Sequence, residues 1–276
     1  MSLYFASLNS GSNGNCYYVG NSHEAVLVDV GISCREVEKR LARLSLDIRK
    51  IKAIFISHEH SDHIKGVEVL SRKFKLPVYI TGATLKHSGM FLQEDLRAHF
   101  SAYCPVTIGN LSVLAFPKLH DASDPHSFVV SGNGLNVGVF TDIGKACEHV
   151  ITNFKQCHAV FLEANYDETM LEVGNYPFYL KKRIRSHVGH LSNDQALDLY
   201  LKHKPVFMTH VLLSHLSKEN NNVELVHTLF KQRDSSSTIV VASRDSESEV
   251  YTIGGNLDHQ QGVMPGSKTP KQTTLF

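Results

Sequence analysis

Two periods of apolar residues alternate along this chain, and their alternation predicts its architecture. LYFASL, CYYVG and AVLVDV are short runs rich in aromatic and β-branched residues, broken by the turn-formers SGSNGN and GNSH, and they read as paired strands. From Ser33 the period lengthens to that of a helix through CREVEKRLARLSL, with Ser33 or Cys34 near its cap. KAIFIS is a short apolar strand that runs directly into HEHSDH; a helix through VEVLSRKF follows, then the strand PVYI introduced by Pro77. LSVLAFP, HSFVVS and LNVGVFT make a strand-rich middle, TDIGKACEHVITNF opens a helix, and HAVFLEAN is another buried strand. Residues 176–202 read as two helices flanking SHVGHLSN, PVFMTH as a strand, KENNNVELVHTLFKQR as a helix, and STIVVAS and EVYTI as closing strands.

The chain is thus strand-rich and then helix-rich, twice over, with no linker between the halves. That order predicts an α/β sandwich of two sheets with helices outside, folded as one domain over residues 1–255. From about Asn256 the sequence NLDHQQGVMPGSKTPKQTTLF is polar and aperiodic, and residues 256–276 are expected to form a flexible tail.

Composition narrows the class. Hydrophobic residues at 42% suffice for a sizeable core, and charged residues at 20% are too few for a disordered protein. A net charge of +1 supplies no global field toward nucleic acid, so such a function would need a local patch. Cys16, Cys34, Cys104, Cys147 and Cys157 are odd in number and scattered without a C-x-x-C pair, which argues against a disulfide framework and a thiolate zinc site. The start, MSLYFASLNSGSNG, has no basic n-region or apolar stretch of secretory length, and no apolar run approaches the roughly 20 residues that span a bilayer. A cytoplasmic enzyme with no membrane association is expected.

Seventeen histidines are many for 276 residues, and three of them fall within six positions. His58, His60, Asp62 and His63 follow the strand KAIFIS just before a helix. Side chains at i and i+2 of a near-extended segment point the same way, so His58 and His60 can grip one ion while Asp62 and His63 face a second. Imidazole and carboxylate are ligands that zinc, manganese and iron accept. Four residues cannot fill two metal shells, and further metal-type side chains stand directly after other buried strands: His120 after LSVLAFP, Asp142 after LNVGVF, and His210 or His215 after PVFM. Such strand ends are where α/β folds gather their active sites.

H-x-H-x-D-H after a strand is the motif of metallo-β-lactamase-fold hydrolases, and the chain resembles that family in order along nearly its whole length: Asp29 in LVDVG, the cluster, His120, Asp142, then a late histidine. More narrowly, SGSNGNCYYV, ISHEHSDHIKG, TDIG, GHLSN and HLSKENN resemble the YycJ/WalJ-type subgroup of bacterial DNA-processing nucleases over roughly residues 1–255. The resemblance implies a four-layer αβ/βα sandwich, two mixed sheets flanked by helices. It implies that His58, His60 and His120 hold a first divalent ion, that Asp62, His63 and His215 hold a second, and that Asp142 bridges both. Asp29 would brace the cluster loop. His215 is preferred to His210 because HLS resembles the last-histidine segment of ribonuclease Z-like members.

Two such ions can share a bridging hydroxide as nucleophile and neutralise an in-line transition state, which suits phosphodiester hydrolysis. Asp62 and His190 are the candidate catalytic residues. His190 is placed like the histidine that ribonuclease Z-type enzymes carry before a similar helix, where it would donate to the scissile phosphate or protonate the leaving oxygen. The alternative is that His190 and Ser192 only cap the helix SNDQALDLYLKH. In the SGSNGN loop, Ser12 and Asn15 are candidates for phosphate contact, against a plain hairpin turn. Lys181, Lys182, Arg183 and Arg185 form the densest basic run, either a solvated helix face or a contact for the DNA backbone.

The resemblance implies a DNA exonuclease of 5′ to 3′ polarity in repair or processing. The alternative is a small-molecule hydrolase, a cyclic phosphodiesterase or a glyoxalase II-like thioesterase; a decayed binding scaffold is disfavoured by the full ligand set. Only 73 positions separate Asp142 from His215, too few for the extra domain of ribonuclease J-like enzymes. The terminal KQTTLF resembles the Q-x-x-L-F peptide by which bacterial replication and repair proteins dock on the sliding clamp, with Gln272, Leu275 and Phe276 as its anchors.

Overall fold

The computed structural model describes residues 2–254. The chain first lays down most of one sheet: β1 (Leu3–Asn9), β2 (Cys16–Gly20), β3 (Ala25–Val28), β4 (Ile51–Phe55), β5 (Val78–Tyr79) and β6 (Arg97–Ala98). It then builds a second: β7 (Val106–Ile108), β8 (Leu111–Pro117), β9 (His126–Gly132), β10 (Leu135–Phe140), β11 (Ala159–Glu163), β12 (His210–Ser214) and β13 (Thr238–Val241). The last strand, β14 (Tyr251–Ile253), returns to pair with β1. Both sheets have seven strands, ordered β14-β1-β2-β3-β4-β5-β6 and β13-β12-β11-β10-β9-β8-β7. Each is mixed: hairpins join the early strands, while β3 to β6 and β10 to β13 run parallel.

Period-2 alternation sends each strand's side chains to two layers. In β11, Ala159 and Phe161 face the inter-sheet core, while Val160 and Leu162 face the helices outside. Phe5, Tyr17, Phe55, Phe128 and Phe161 fill the space between the sheets, each fully buried and each contributing roughly 1.5–3 kcal/mol. Val37 and Leu41 of helix α1 (Cys34–Arg43) cover the first sheet. Val67 and Leu70, of the helix over Val67–Phe74, cover it with them. Helices over Glu148–Phe154, Asn193–His203 and Val223–Lys231 cover the second through Phe154, Tyr200 and Phe230. The result is the four-layer αβ/βα sandwich that the motif implied.

Several boundaries follow the expected chemistry. Ser33 caps α1 by accepting from Glu36 N, and Ser192 and Gln195 form a capping box. One segment differs. PVFMTH is not a strand: residues 205–208 form a turn, and β12 begins only at His210. Pro205 and the wholly exposed Val206 sit outside the sheet, and the apolar run that pairs in register with β11 is HVLLS. The short helices Gly82–Ser88 and Glu168–Val173 carry no strong period and were not anticipated. All five cysteines are free, and no helix among the described residues is long and apolar enough to cross a membrane. Residues 256–276, with the proposed clamp peptide, lie outside the described residues.

One close approach holds the first sheet's loops together. A Cβ on Gly31 would lie 1.7 Å from the Asp62 carbonyl oxygen, and the same segments are tied by Gly31 N to Asn15 O (2.8 Å) and Asn15 N to Asp62 O (2.7 Å). Substituting Gly31→Ala must therefore move backbone, and it is expected to cost about 1–3 kcal/mol or more. Urea unfolding should show a lower midpoint with an unchanged slope; a midpoint equal to wild type would refute the contact.

Candidate metal centre

Strand ends at one edge of the two sheets bring the predicted residues together. Asp29 follows β3, the segment His58–His63 follows β4, His120 follows β8, Asp142 follows β10, Glu163 ends β11, and His215 follows β12. Three of these turns, at Asp29, Asp142 and His215, have φ near +60° in the left-handed region. Non-glycine residues adopt it rarely and at a cost, so the surrounding packing must impose it.

His58 Nε2 lies 3.0 Å from His60 Nδ1, which lies 3.4 Å from His120 Nε2. Asp62 Oδ2 lies 3.5 Å from His63 Nε2 and 3.6 Å from His215 Nε2. Asp142 stands between the two groups, its Oδ1 3.8 Å from His120 Nε2 and its Oδ2 3.2 Å from His63 Nε2. Within each triad the ligand-type atoms fall within 4.8 Å of one another.

The opposite nitrogen of nearly every ring is anchored, which fixes its orientation. His58 Nδ1 donates to Ser57 Oγ at 2.8 Å, since that hydroxyl's own proton goes to Asp29 Oδ2 at 2.7 Å. His63 Nδ1 meets Asp29 Oδ2 at 2.7 Å, and Asp29 Oδ1 accepts from Ser57 N. His120 Nδ1 donates to Gly189 O at 3.1 Å, and His215 Nδ1 to Glu163 Oε1 at 3.0 Å. Every anchored ring turns its free nitrogen inward. Asp142 Oδ2 and His215 Nε2 are nonetheless buried without a hydrogen-bond partner among the described residues. Orphaned ligand-type atoms at the focus of such a cluster fit bound cations and do not fit a self-sufficient polar core.

The electrostatics divide the two triads. Burial, with Lys118 adding to it, drives His120 down to about 3, and burial also lowers His58 and His60, so the first triad is neutral and ready to coordinate. Burial would lower His63 too, but Asp142, Asp29 and Asp62 outweigh it and raise its pKa to about 10. His215 is likewise raised by Asp142, Asp62 and Glu163 against the effect of its burial.

Other expected residues are placed differently. His210 lies at the opposite end of β12, its ring against Phe5 (5.5 Å) and Tyr251 (5.7 Å), so only His215 reaches the cluster. Asn15 is fully buried and braces the cluster, with Nδ2 3.2 Å from Asp62 Oδ2 and 3.1 Å from His63 Nε2. Ser12 is exposed at the loop tip. The basic run occupies the helix Phe178–Ile184 and its end, and half of its charge is already paired. Arg183 meets Asp121 at 2.5 Å, Arg185 meets Glu168 and Glu172, and Lys181 donates to Glu172 O. Lys181 and Lys182 have no ion pair among the described residues.

Two residues escaped the sequence reading. Glu163 is fully buried; Oε1 accepts from His190 Nδ1 (2.8 Å) and His215 Nδ1, while Oε2 accepts from Ile143 N and Leu191 N. Burial pushes its carboxyl up, yet His190 and His215 outweigh it and bring the pKa to about 2. Lys118 is buried, and its Nζ donates to Thr141 O at 2.7 Å, pinning the backbone beside Asp142. Both terminate buried strands, a signal the sequence carried in HAVFLEAN and LSVLAFPK.

A two-metal pocket at the strand ends of an αβ/βα sandwich defines a metal-dependent hydrolase, and the chain belongs to the metallo-β-lactamase superfamily, whose sequence pattern matches residues 10–171. Members bind two divalent metal ions, and the two triads supply a ligand set for each. The chain is 36% identical over 235 residues to exodeoxyribonuclease YycJ of Bacillus anthracis, covering 84% of this chain and 89% of that protein. It is 32% identical over 229 residues to exodeoxyribonuclease WalJ of Streptococcus pneumoniae, covering 81% and 85%. The crystal structure of the metallo-β-lactamase fold protein YhfI from Bacillus subtilis superposes with a TM-score of 0.70 at 15% identity, over 91% of this chain and all of that one.

Because ligating nitrogens must be unprotonated, filling the second triad must displace the protons on His63 and His215, while the first triad has none to lose. Metal affinity at the second triad should therefore rise with pH from 6.5 toward about 10, about tenfold per pH unit for each proton displaced. Calorimetric titration of metal-free protein in buffers of different ionisation enthalpy measures the protons released; a second binding event that releases none would contradict the assignment.

Proposed function

We propose that the protein is a cytoplasmic two-metal deoxyribonuclease that removes nucleotides from 5′ ends in DNA repair or processing. The observation that carries this reading is the pair of ligand triads meeting at Asp142, set beside His190. The names of its YycJ and WalJ relatives supply the substrate class. His58, His60 and His120 would hold one ion and Asp62, His63 and His215 the other, with Asp142 placed between the two groups. When bound, the ions supply an acidified water as nucleophile and neutralise charge on the phosphoryl oxygens.

The chain's own groups do the rest. Glu163 accepts the Nδ1 proton of His190 and so leaves Nε2 as the nitrogen offered to substrate. His190 is half-buried at the edge of the cluster, 5.3 Å ring to ring from His120 and 5.2 Å from His215. There it donates a proton to the scissile phosphate or to the leaving oxygen. Asp62, whose side chain is 21% exposed, is the cluster carboxylate nearest the mouth and orients the attacking water. Asp29 holds His63 and Ser57 in place from beneath. Phe178 and Tyr179 lie exposed on the helix that carries Lys182 and offer aromatic faces on which unpaired bases can stack.

Two experiments test the reading. Metal-loaded protein should release the label of 5′-labelled DNA as a mononucleotide from the outset and shorten 3′-labelled DNA to a ladder, in preference to RNA, a small phosphodiester or a thioester; turnover confined to the small compounds would point to a small-molecule hydrolase. His190→Ala should bind two metal equivalents yet lose roughly 10²–10⁴-fold in kcat on DNA; near-full activity would remove His190 from the mechanism.

The terminal Gln272, Leu275 and Phe276 are proposed to dock on a sliding clamp, two apolar anchors entering a pocket while the glutamine fixes orientation. Deleting the last five residues should abolish clamp pull-down without slowing digestion of short DNA, and retained pull-down would refute the contact.

A further inference from the structure

The edge of the second sheet continues past the metal centre into a cavity of about 280 Å³. Its polar lining is Ser10, Ser217, Lys218, Asn221, Ser243, Arg244 and Asp245. Ser217 is two residues beyond His215, so its Cα lies within about 7.6 Å of that ligand's. This is the order of separation between successive phosphates on an extended strand.

The walls are held rigidly. Ser10 N donates to Ser243 O at 3.0 Å, and Ser10 Oγ accepts from His215 N at 2.8 Å, so one residue ties cavity and metal centre together. Asn13 Nδ2 donates to the Arg244 carbonyl at 2.8 Å, and the buried Arg40 donates to the Asp245 carbonyl at 3.2 Å. Arg244 is thus fixed by its backbone, yet its side chain forms no ion pair among the described residues, and Nη1 is buried there without an acceptor. A buried guanidinium N–H with nothing to bond is unfavourable and marks a place for an anion. Lys218 adds a second cation, held only loosely by Glu219 at 3.9 Å, and the serine hydroxyls add donors. Asp245 is the one carboxylate among the lining residues, and it is exposed.

We infer that this cavity binds the terminal 5′-phosphate of the strand being digested, with the Arg244 guanidinium gripping the phosphoryl oxygens. The inference rests on the nuclease reading and deepens it. A terminal phosphate seated here places the next phosphodiester at the metal pair, which sets both the end from which the strand enters and the removal of one nucleotide at a time. The planar fork of Arg244 suits two phosphoryl oxygens at once, while Lys218 acts as a point charge.

The test uses full-length, metal-loaded protein and one oligonucleotide in three forms: 5′-phosphate, 5′-hydroxyl, and 5′-hydroxyl with 3′-phosphate. Wild type should favour the 5′-phosphate form over the 5′-hydroxyl form by about tenfold or more in kcat/KM, chiefly through KM, and gain nothing from a 3′-phosphate. In Arg244→Ala that ratio should fall to within about twofold of unity, with Arg244→Lys intermediate. Inorganic phosphate should compete with the 5′-phosphate form and leave the 5′-hydroxyl form largely uninhibited. Lys218→Ala, on an exposed side chain, should lower the ratio in part and guards against a folding defect in the Arg244 variants. A wild type indifferent to the 5′ group, or an Arg244→Ala protein that keeps its preference, overturns the pocket and leaves the nuclease reading standing. If no DNA is digested while bis(p-nitrophenyl) phosphate is still turned over, the nuclease reading fails and the pocket falls with it.

Discussion

Four carboxylates, those of Asp29, Asp62, Asp142 and Glu163, crowd one end of the sandwich, and three of them are sealed from solvent. Buried charge of one sign is prohibitive unless it is matched, and the structure sets cationic groups against it. Lys118 is buried among these groups, which draw its ammonium pKa up while burial pulls it down more strongly. His63 and His215 retain protons for the same reason. Two divalent cations would supply what those protons supply, and more of it, so metal binding and the folding of this end are parts of one charge balance.

The sandwich makes this balance possible by directing strand ends. Parallel pairing of β3 with β4, and of β10 through β12, puts successive carboxyl ends at the same edge of each sheet. The inter-sheet core of Phe5, Phe55, Phe128 and Phe161 then sets the two edges against each other. The His58–His63 segment comes from the first sheet, and His120, Asp142 and His215 come from the second. Neither sheet alone holds a complete set. The left-handed turns at Asp29, Asp142 and His215 store strain at this junction, as rigid packing allows.

The same edge carries polar groups beyond the metal ligands. Glu163 ties His190 to His215, so the proposed proton donor and a proposed metal ligand share one orienting carboxylate. Ser10 ties His215 to the Arg244 cavity. Activity and end recognition would therefore be coupled through short hydrogen bonds within one rigid frame.

Much of this was legible in the sequence, because periodicity and adjacency are local. The helix over Val67–Phe74, the caps Ser33 and Ser192 and the strands LSVLAFP and LNVGVF appear where their patterns put them. The spacing of His58, His60, Asp62 and His63 was enough to announce two ions. What sequence could not settle depends on register and pairing. His210 and His215 both stood near an apolar run, and only the start of β12 at His210 sends one to the core and the other to the site. Asn15 stood open between a phosphate contact and a plain hairpin turn, and the fold instead turns it inward against Asp62 and His63. Arg183 and Arg185 stood in a basic run open to solvent or DNA until Asp121, Glu168 and Glu172, distant in sequence, paired with them. Glu163, Lys118 and Arg244 carried no motif at all. A buried charge takes its meaning from the groups folded around it, and those groups meet only when the two sheets close.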